Sequence, residues 1–441
     1  MRLTASRRLY GLGAVILAAL VACSRSEFGA RPFLISLVIA GIAYLFAVRE
    51  FFHTQAYPRR VIFLCLALAF LWRMPFLVMP PGADDDIHRY LWDGRVQRLG
   101  YNPYKLIPAD PALAGLHTLE TRGLNNPEVP SPYPPGAQLF FRGVTTIHES
   151  IFAFKMAFVI CDFAIVVLLM DALRRSGQGE HWVLAYAWHP LLATNVAGSP
   201  HIDIVGALLL LASVMALARR WRAVAAIAFA LAVAVKFLPI VLTPLYWRRL
   251  RIRDGLLALL TFGSLYIPFL EHGRIPFDAL KTYVQRFRFN DPVFATLERV
   301  AGPQIVAGLA VFVGLATAVW LRRKHQQPAC SVDQWAWPMA ASLVCAPVVY
   351  PWYLLWLLPF LRSVSALPLM VWTISILPTY FVWHLRSLGQ AWEVPAWILI
   401  LEYGSVAIAA AIVWLRPPTK TVMQTSPEES VLPSDRNQDG G

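Results

Sequence analysis

The chain has 441 residues, of which 57% are hydrophobic and only 15% charged, and its mean hydropathy is +0.53. Because soluble domains carry roughly a quarter charged residues, this composition excludes an ordinary soluble protein. The net charge is +13, but the basic residues lie in short clusters between apolar runs, which indicates membrane loops and not a nucleic-acid-binding surface. The five cysteines show no spacing typical of a disulfide framework or a zinc site.

Apolar runs long enough to cross a membrane recur from end to end. They cover residues 9–24, 32–49, 61–79, 151–173, 181–197, 202–218, 255–270, 303–321, 366–383 and 396–415. Two more segments, Ala223–Trp247 and Trp335–Leu361, are interrupted by proline-containing motifs. Each is predicted to form a pair of short or half helices that reaches the outer side and returns, with its irregular backbone either covered by protein or lining a cavity. We therefore expect an all-α polytopic integral membrane protein of about 12–14 transmembrane or half-membrane helices.

The two ends of the chain differ in character. Met1–Arg8 is basic and precedes an apolar run that ends in Leu20-Val-Ala-Cys23, a pattern similar to a lipoprotein cleavage box. We expect a retained first helix, because a polytopic chain needs no removable signal. Residues 417–441 are polar and are predicted to form a disordered cytoplasmic tail, which leaves 1–416 as a single transmembrane domain.

Basic clusters give the predicted orientation, since positively charged loops are cytoplasmic. They occur at Arg7-Arg8, Arg59-Arg60, Arg174-Arg175, Arg219-Arg220, Arg248-Arg249 and Arg322-Arg323-Lys324. Both termini are then cytoplasmic. The long loops at 80–150 and 271–302 face the opposite, extracytoplasmic side of a cytoplasmic (inner) membrane. The unusual polar motifs of the chain fall on that same side.

The first of these motifs is a run of three carboxylates, Asp84, Asp85 and Asp86, at the end of an apolar helix. Acidic residues at a membrane boundary are costly and are frequently functional, and a carboxylate there could act as a general base on a sugar hydroxyl. Arg89, one turn later, is predicted to orient it. The competing interpretation is that the acids cap a short interfacial helix over 86–99, with Tyr90 and Trp92 at the membrane surface.

Three further motifs carry candidate binding residues. His201 and Asp203 enter a helix together, so that His201 could donate to a phosphate and Asp203 could hold its tautomer or bind a hydroxyl. The competing interpretation is a helix-capping Asp beside an interfacial His. Lys236 stands alone in an apolar segment and needs an anionic partner, such as a phosphate, unless it reaches the membrane surface. Trp352 and Tyr353 follow a proline break and suit a cavity wall, although aromatic residues also anchor membrane interfaces. Asn102-Pro-Tyr and Tyr133-Pro-Pro indicate rigid turns first and substrate contact second.

These residues together resemble the polyprenyl-phosphate-sugar-dependent glycosyltransferases of the C superfamily, and especially glycosyltransferase family 87 and related mannosyltransferases. The resemblance rests on motifs spread over about residues 60 to 415. They are Asp85-Asp86-Ile-His-Arg89-Tyr90-Leu-Trp-Asp93-Gly94, Gly100-Tyr-Asn-Pro-Tyr104, Tyr133-Pro-Pro135, Trp188-His-Pro190, Ser199-Pro-His201-Ile-Asp203, Lys236-Phe-Leu-Pro239 and Pro347-Val-Val-Tyr-Pro-Trp-Tyr-Leu-Leu-Trp356.

The resemblance implies inverting transfer of a hexose such as mannose from a polyprenyl-phosphate donor to a lipid-linked or glycan acceptor. It implies that the base is Asp86, which keeps the spacing to Tyr90, with Asp85 as the alternative. This sequence departs from the family pattern at Tyr350, where relatives often have His, and at His88, where Tyr is common. No cofactor is expected, because basic side chains could neutralise the phosphate, although the acid cluster leaves room for a divalent metal. The alternatives are an oligosaccharide ligase and a transporter or flippase of a lipid-linked sugar.

Overall fold

The computed structural model describes residues 2–54, 56–81, 86–270, 278–324 and 332–415. Within these ranges the regular structure is helical apart from one parallel β-bridge between Phe289 and Val348. Eight helical segments of the described chain are long and apolar enough to cross a membrane, and the pair Pro190–Gly198 and Asp203–Ala218, bent by 119°, would make a ninth. The predicted all-α polytopic class is therefore confirmed.

The α-helices follow one another along the whole described chain. They are α1 Arg2–Ser24, α2 Arg31–His53, α3 Arg59–Val78, α4 Asp86–Arg98, α5 Pro135–Ile147, α6 Ile151–Arg175, α7 Val183–Ala187, α8 Pro190–Leu192, α9 Asp203–Ala218, α10 Arg222–Val235, α11 Thr243–Tyr246, α12 Ile252–Ser264, α13 Asp278–Arg286, α14 Pro292–Ala301, α15 Pro303–Lys324, α16 Trp337–Val344, α17 Leu367–Ser375, α18 Phe381–Ser387 and α19 Ala396–Trp414. A π-helix, Ala193–Gly198, continues α8.

Both predicted broken segments are broken in the structure. Helix α10 ends at Val235 and gives way to a 3₁₀ turn, Leu238–Leu242, immediately after Lys236. Helix α16 ends at Val344, and a second 3₁₀ turn, Pro351–Trp356, carries the aromatic motif. Each break lies where proline removes a backbone donor and stops the helix, and each brings side chains to the cavity described below.

Two expectations about helices are wrong. Residues 181–197 do not form one spanning helix, because Pro190 breaks the segment between α7 and α8. The helix predicted over 86–99 exists as α4, but the two side chains predicted to contact a membrane surface are not exposed. Its Tyr90 and Trp92 are completely buried, since the loop that follows α4 folds over it and α5 packs along it. A one-sided apolar pattern could not distinguish burial in loops from burial in lipid.

A buried ion pair ties the helices together inside the membrane region. The Arg73 guanidinium on α3 donates to Asp162 on α6 at 2.5 Å, and both side chains are at most 1% exposed. The hydroxyl of Tyr186 donates to the other Asp162 oxygen at 2.8 Å. Lys155, on the same helix as Asp162, donates to the carbonyls of Phe76 and Met79.

We expect Asp162→Asn to destabilise the protein by about 3–5 kcal/mol, because it leaves the buried Arg73 charge without a counterion. The measurement is the melting temperature of the purified protein in detergent. Asp171→Asn is the matched control, since Asp171 lies on the same helix and pairs with Arg175 and Arg219 at the protein surface, contacts worth about 0–1 kcal/mol each. Equal melting temperatures for the two variants would contradict this prediction.

Candidate active site

A cavity of about 690 Å³ opens between the loop after α4 and the two broken segments. Its lining includes Asp86, Arg89, Tyr133, His201, Asp203, Lys236, Trp352 and Tyr353. Eight of the ten site residues predicted from the sequence therefore meet at one place, although they are spread over 268 positions from Asp86 to Tyr353. Asp85, the alternative base, and Asp84 lie outside the described residues. The predicted tail at 417–441 lies outside them too.

Asp86 stands at the start of α4 with its two oxygens in different surroundings. Oδ1 accepts a hydrogen bond from the Asn125 side-chain amide at 2.8 Å. Oδ2 faces His201 Nε2 at 3.9 Å, too far for a hydrogen bond. The Asp86 side chain is 21% exposed, so one oxygen is held by the protein while the other is presented toward the cavity.

Arg89 does not orient Asp86 as predicted. Its guanidinium donates to three loop carbonyls, those of Asn125 at 3.0 Å, Asn126 at 2.7 Å and Val129 at 3.1 Å. Arg89 is only 3% exposed. Its main role in this geometry is therefore to fasten the loop to α4, and the orienting contact to Asp86 comes from Asn125.

His201 is held by a backbone carbonyl and by an aromatic ring. Its Nδ1 lies 2.7 Å from the Ser199 carbonyl oxygen. A carbonyl can only accept, so Nδ1 carries the hydrogen, and a neutral imidazole presents an unprotonated Nε2 toward Asp86. The ring stacks on Trp352 with centroids 3.9 Å apart. The expectation that Asp203 fixes this tautomer is therefore wrong.

Asp203 is instead the partner of Lys236. Its Oδ1 accepts from the Lys236 ammonium at 2.8 Å and from the Trp356 indole at 2.7 Å. The Lys236 ammonium also lies 3.4 Å from the centroid of the Tyr353 ring, which favours a cation. A side chain at Gly206, one turn after Asp203, would come within 2.0 Å of Trp356, so glycine gives this indole the room to reach the carboxylate.

The wall opposite α4 is aromatic. Trp352 stacks on Tyr350 with centroids 4.3 Å apart, which extends the stack from His201 to three rings. The Tyr353 hydroxyl lies 2.5 Å from that of Tyr283 on α13, so the second long loop is bound to this wall. Flat aromatic faces of this kind suit sugar rings and prenyl chains.

The two remaining tyrosine predictions fare differently. Tyr90 is fully buried, and its hydroxyl accepts from the Ile202 backbone amide at 3.4 Å. It therefore packs behind the site and does not line the cavity. Tyr133 lines the cavity. The Tyr104 hydroxyl donates to the Tyr133 carbonyl at 2.7 Å, which ties the two predicted turns to each other.

Sequence reasoning missed several cavity residues, which lie in loops or on the short helices α13 and α18. They include Asn125, Asn126, Glu128, Tyr283, Arg286, Arg288, Trp383, Arg386 and Trp392. Arg288 is committed to Glu298 through a 2.6 Å ion pair. Arg286 and Arg386 are exposed at the cavity, and the Arg386 guanidinium stacks over Trp392. The available signal was their position, in the second long loop for Arg286 and in the last turn of α18 for Arg386.

Asp93, two turns after Asp86, is a completely buried carboxylate beneath the site. Its Oδ2 accepts from the Ser131 hydroxyl and from the Gln138 amide. Burial raises the pKa of Asp93 to about 6, although the Arg89 charge and these hydrogen bonds act in the opposite direction. The group therefore titrates close to neutral pH.

We expect this carboxyl to make stability fall as the pH rises. Its native pKa lies above the ordinary value of 3.8, so its contribution is complete below about pH 4 and is lost as the pH passes about 6. At pH 7.5, Asp93→Asn should exceed wild type in the free energy of unfolding by up to about 3 kcal/mol, which should raise its melting temperature. At pH 5 the gain should be smaller. The exposed Asp110→Asn is the control. A gain from Asp93→Asn that does not grow with pH would contradict the assignment.

Within the described ranges, no group of three His, Cys, Asp or Glu side chains is placed to hold a metal ion. Asp84 and Asp85, the acids nearest to Asp86 in sequence, are not among those residues. The absence of a cofactor accordingly stays a prediction.

The fold and the cavity define a polytopic helical membrane protein with a polar and aromatic site beside its helix ends. The family described as "Alpha-(1->6)-mannopyranosyltransferase, N-terminal domain" matches residues 13–249, more than half of the chain. The chain therefore belongs to this family, and the predicted resemblance to mannosyltransferases is confirmed.

Two curated relatives match shorter stretches. An alpha-(1->6)-mannopyranosyltransferase of Mycobacterium tuberculosis (strain ATCC 25618 / H37Rv) is 30% identical over 142 residues, which are 30% of this chain and 23% of the relative. A probable alpha-(1->6)-mannopyranosyltransferase of Mycolicibacterium smegmatis (strain ATCC 700084 / mc(2)155) is 28% identical over 141 residues, 30% of this chain and 24% of the relative. The matched part thus spans about a quarter of each relative.

Proposed function

We propose that the protein transfers a hexose such as mannose from a polyprenyl-phosphate donor to a lipid-linked or glycan acceptor at the extracytoplasmic face of the inner membrane. The observation that carries the proposal is the gap between Asp86 Oδ2 and His201 Nε2. Two hydrogen-bond acceptors face each other there across 3.9 Å at the cavity. An acceptor hydroxyl placed beside them would supply the missing proton donor.

In the proposed reaction Asp86 takes the proton of the acceptor hydroxyl as that oxygen bonds to the anomeric carbon of the donor sugar. The bond from the anomeric carbon to the phosphate oxygen breaks at the same time. Polyprenyl phosphate leaves with the electron pair, and displacement from the opposite side inverts the anomeric configuration. We assign the base to Asp86, which keeps the spacing to Tyr90 that the resemblance implies, and its place in the cavity lining supports this assignment. Asp85 is the alternative.

The departing phosphate gains negative charge, which preorganised positive groups would stabilise. Lys236 lines the cavity beside Asp203 and Tyr353 and is one candidate to stabilise the phosphate. Its side chain is 24% exposed. Arg286 and Arg386 also line the cavity with exposed side chains. The aromatic wall would take the sugar ring and the first prenyl units, so charge and apolar surface match the two parts of such a donor.

The test is incubation of the purified protein with a panel of polyprenyl-phosphate sugars, each with a glycan acceptor. We expect release of polyprenyl phosphate and a sugar-extended product with at least one hexose donor. GDP-mannose without the lipid is the control and should give no product. Transfer from the nucleotide sugar, with none from any lipid-linked donor, would overturn the proposal.

A further inference from the structure

The two oxygens of Asp86 are not equivalent, and one side chain makes the difference. Asn125 Nδ2 donates to Oδ1 at 2.8 Å, while Oδ2 faces His201 Nε2 at 3.9 Å, beyond hydrogen-bond distance. An amide that occupies one lone-pair direction restricts rotation of the carboxylate about its last bond. Oδ2 is therefore the oxygen left to meet an incoming hydroxyl.

The position of Asn125 relative to Asp86 is itself fixed by hydrogen bonds from Arg89. Its backbone carbonyl accepts from Arg89 at 3.0 Å, and the next carbonyl, of Asn126, accepts from the same nitrogen at 2.7 Å. Asn126 has a φ of +47°, an uncommon conformation that marks a constrained turn. Arg89 lies on α4 one turn after Asp86, so the same rigid helix carries the carboxylate and the clamp on the loop that orients it.

The chemistry of the side chain also matters. An amide donates to a carboxylate without adding charge, whereas an Asp at this position would place a second anion beside the first. Asn125 also lines the cavity, so its amide belongs to the site and not to a distant scaffold. We propose that Asn125 is a positioning residue, which holds Oδ1 of Asp86 and thereby presents Oδ2 to the acceptor hydroxyl. This inference rests on the proposed function.

The test compares kcat and donor KM for Asn125→Ala and Asn125→Asp with those of wild type. Misalignment of a reacting group lowers the rate of the chemical step by about 10²-fold, so we expect kcat to fall by about that factor in Asn125→Ala and further in Asn125→Asp. The donor KM should stay within about two-fold, because the residue acts on the base and not on the phosphate or the prenyl chain. Arg122→Ala, an exposed change in the same loop, is the control and should match wild type.

A merely structural role would lower the melting temperature and raise the donor KM together with the loss of kcat. Wild-type kcat in Asn125→Ala, or a loss of kcat that follows a lower melting temperature, would overturn the inference. If Asn125→Ala is fully active while Asp86→Asn is inactive, the inference fails and the proposed function stands. If Asp86→Asn is fully active, the proposed assignment of the base fails first.

Discussion

Asp86→Asn should abolish sugar transfer while the protein still folds. A positioned general base contributes about 10²–10⁴-fold to the rate, so we expect the rate to drop by about 10³-fold. The change removes the charge of Asp86 but keeps its shape. In wild type, Asn125 donates to Asp86 Oδ1 at 2.8 Å, and the amide oxygen of the variant can accept the same hydrogen bond. The melting temperature should therefore stay near that of wild type.

The measurement is initial transfer from labelled polyprenyl-phosphate sugar at saturating donor. Asp110→Asn, which changes an exposed carboxylate that caps a 3₁₀ turn in the same loop, is the control and should keep full activity. Asp85→Asn should be made as well, because Asp85 was the alternative base from sequence. Full activity in Asp86→Asn with none in Asp85→Asn would transfer the role to the neighbouring residue.

The second large effect concerns the ion pair of Asp203, which is buried, and Lys236, whose side chain is 24% exposed. Asp203→Asn leaves the Lys236 charge without its 2.8 Å partner. Loss of one partner of a fully buried ion pair costs about 3–5 kcal/mol, and water at the exposed part of Lys236 keeps the loss below that range. We expect a clear fall in melting temperature, which should be partly reversed when polyprenyl phosphate binds and supplies a new anion. Wild type should gain less from the same ligand.

Lys236→Met separates stability from catalysis. With the ammonium gone, the leaving phosphate loses a positive group, and we expect kcat to fall by about 10²–10³-fold. The double variant Asp203→Asn/Lys236→Met has no uncompensated charge, so it should recover the melting temperature but not the activity. Wild-type kcat in Lys236→Met would remove the lysine from the reaction, whatever its effect on stability.

The residues changed in these variants differ in how well the sequence alone predicts their place in the site. Asp86, His201 and Lys236 stood out in the sequence because charged groups beside or within apolar runs are costly and therefore conspicuous. The breaks after Val235 and before Pro351 were predictable as well, since proline cannot continue a helix hydrogen-bond ladder. The sequence thus pointed to the right elements of the cavity.

The side-chain ion pairs could not be predicted from the sequence. Lys236 follows the last residue of α10 and pairs with Asp203 on α9, 33 positions earlier. This contact depends on how α9 and α10 pack, which no periodicity reports. The same is true of Arg73 and Asp162, 89 positions apart. Asn125 lies in a loop and Arg386 on the short helix α18, and their places in the cavity follow from tertiary contacts. Periodicity also failed for α4, whose apolar side chains are buried by protein loops.

Sugar transfer from a lipid-linked donor is tested most directly with wild-type protein in lipid vesicles. The vesicles contain doubly labelled polyprenyl-phosphate mannose, and a glycan acceptor is present outside them. Both the position and the integrity of the donor are then followed over time. We expect the label on the sugar to move to the acceptor while an equal amount of polyprenyl phosphate appears in the membrane. Movement of intact donor from one leaflet to the other, with no cleavage at any time, would contradict this expectation and indicate a flippase.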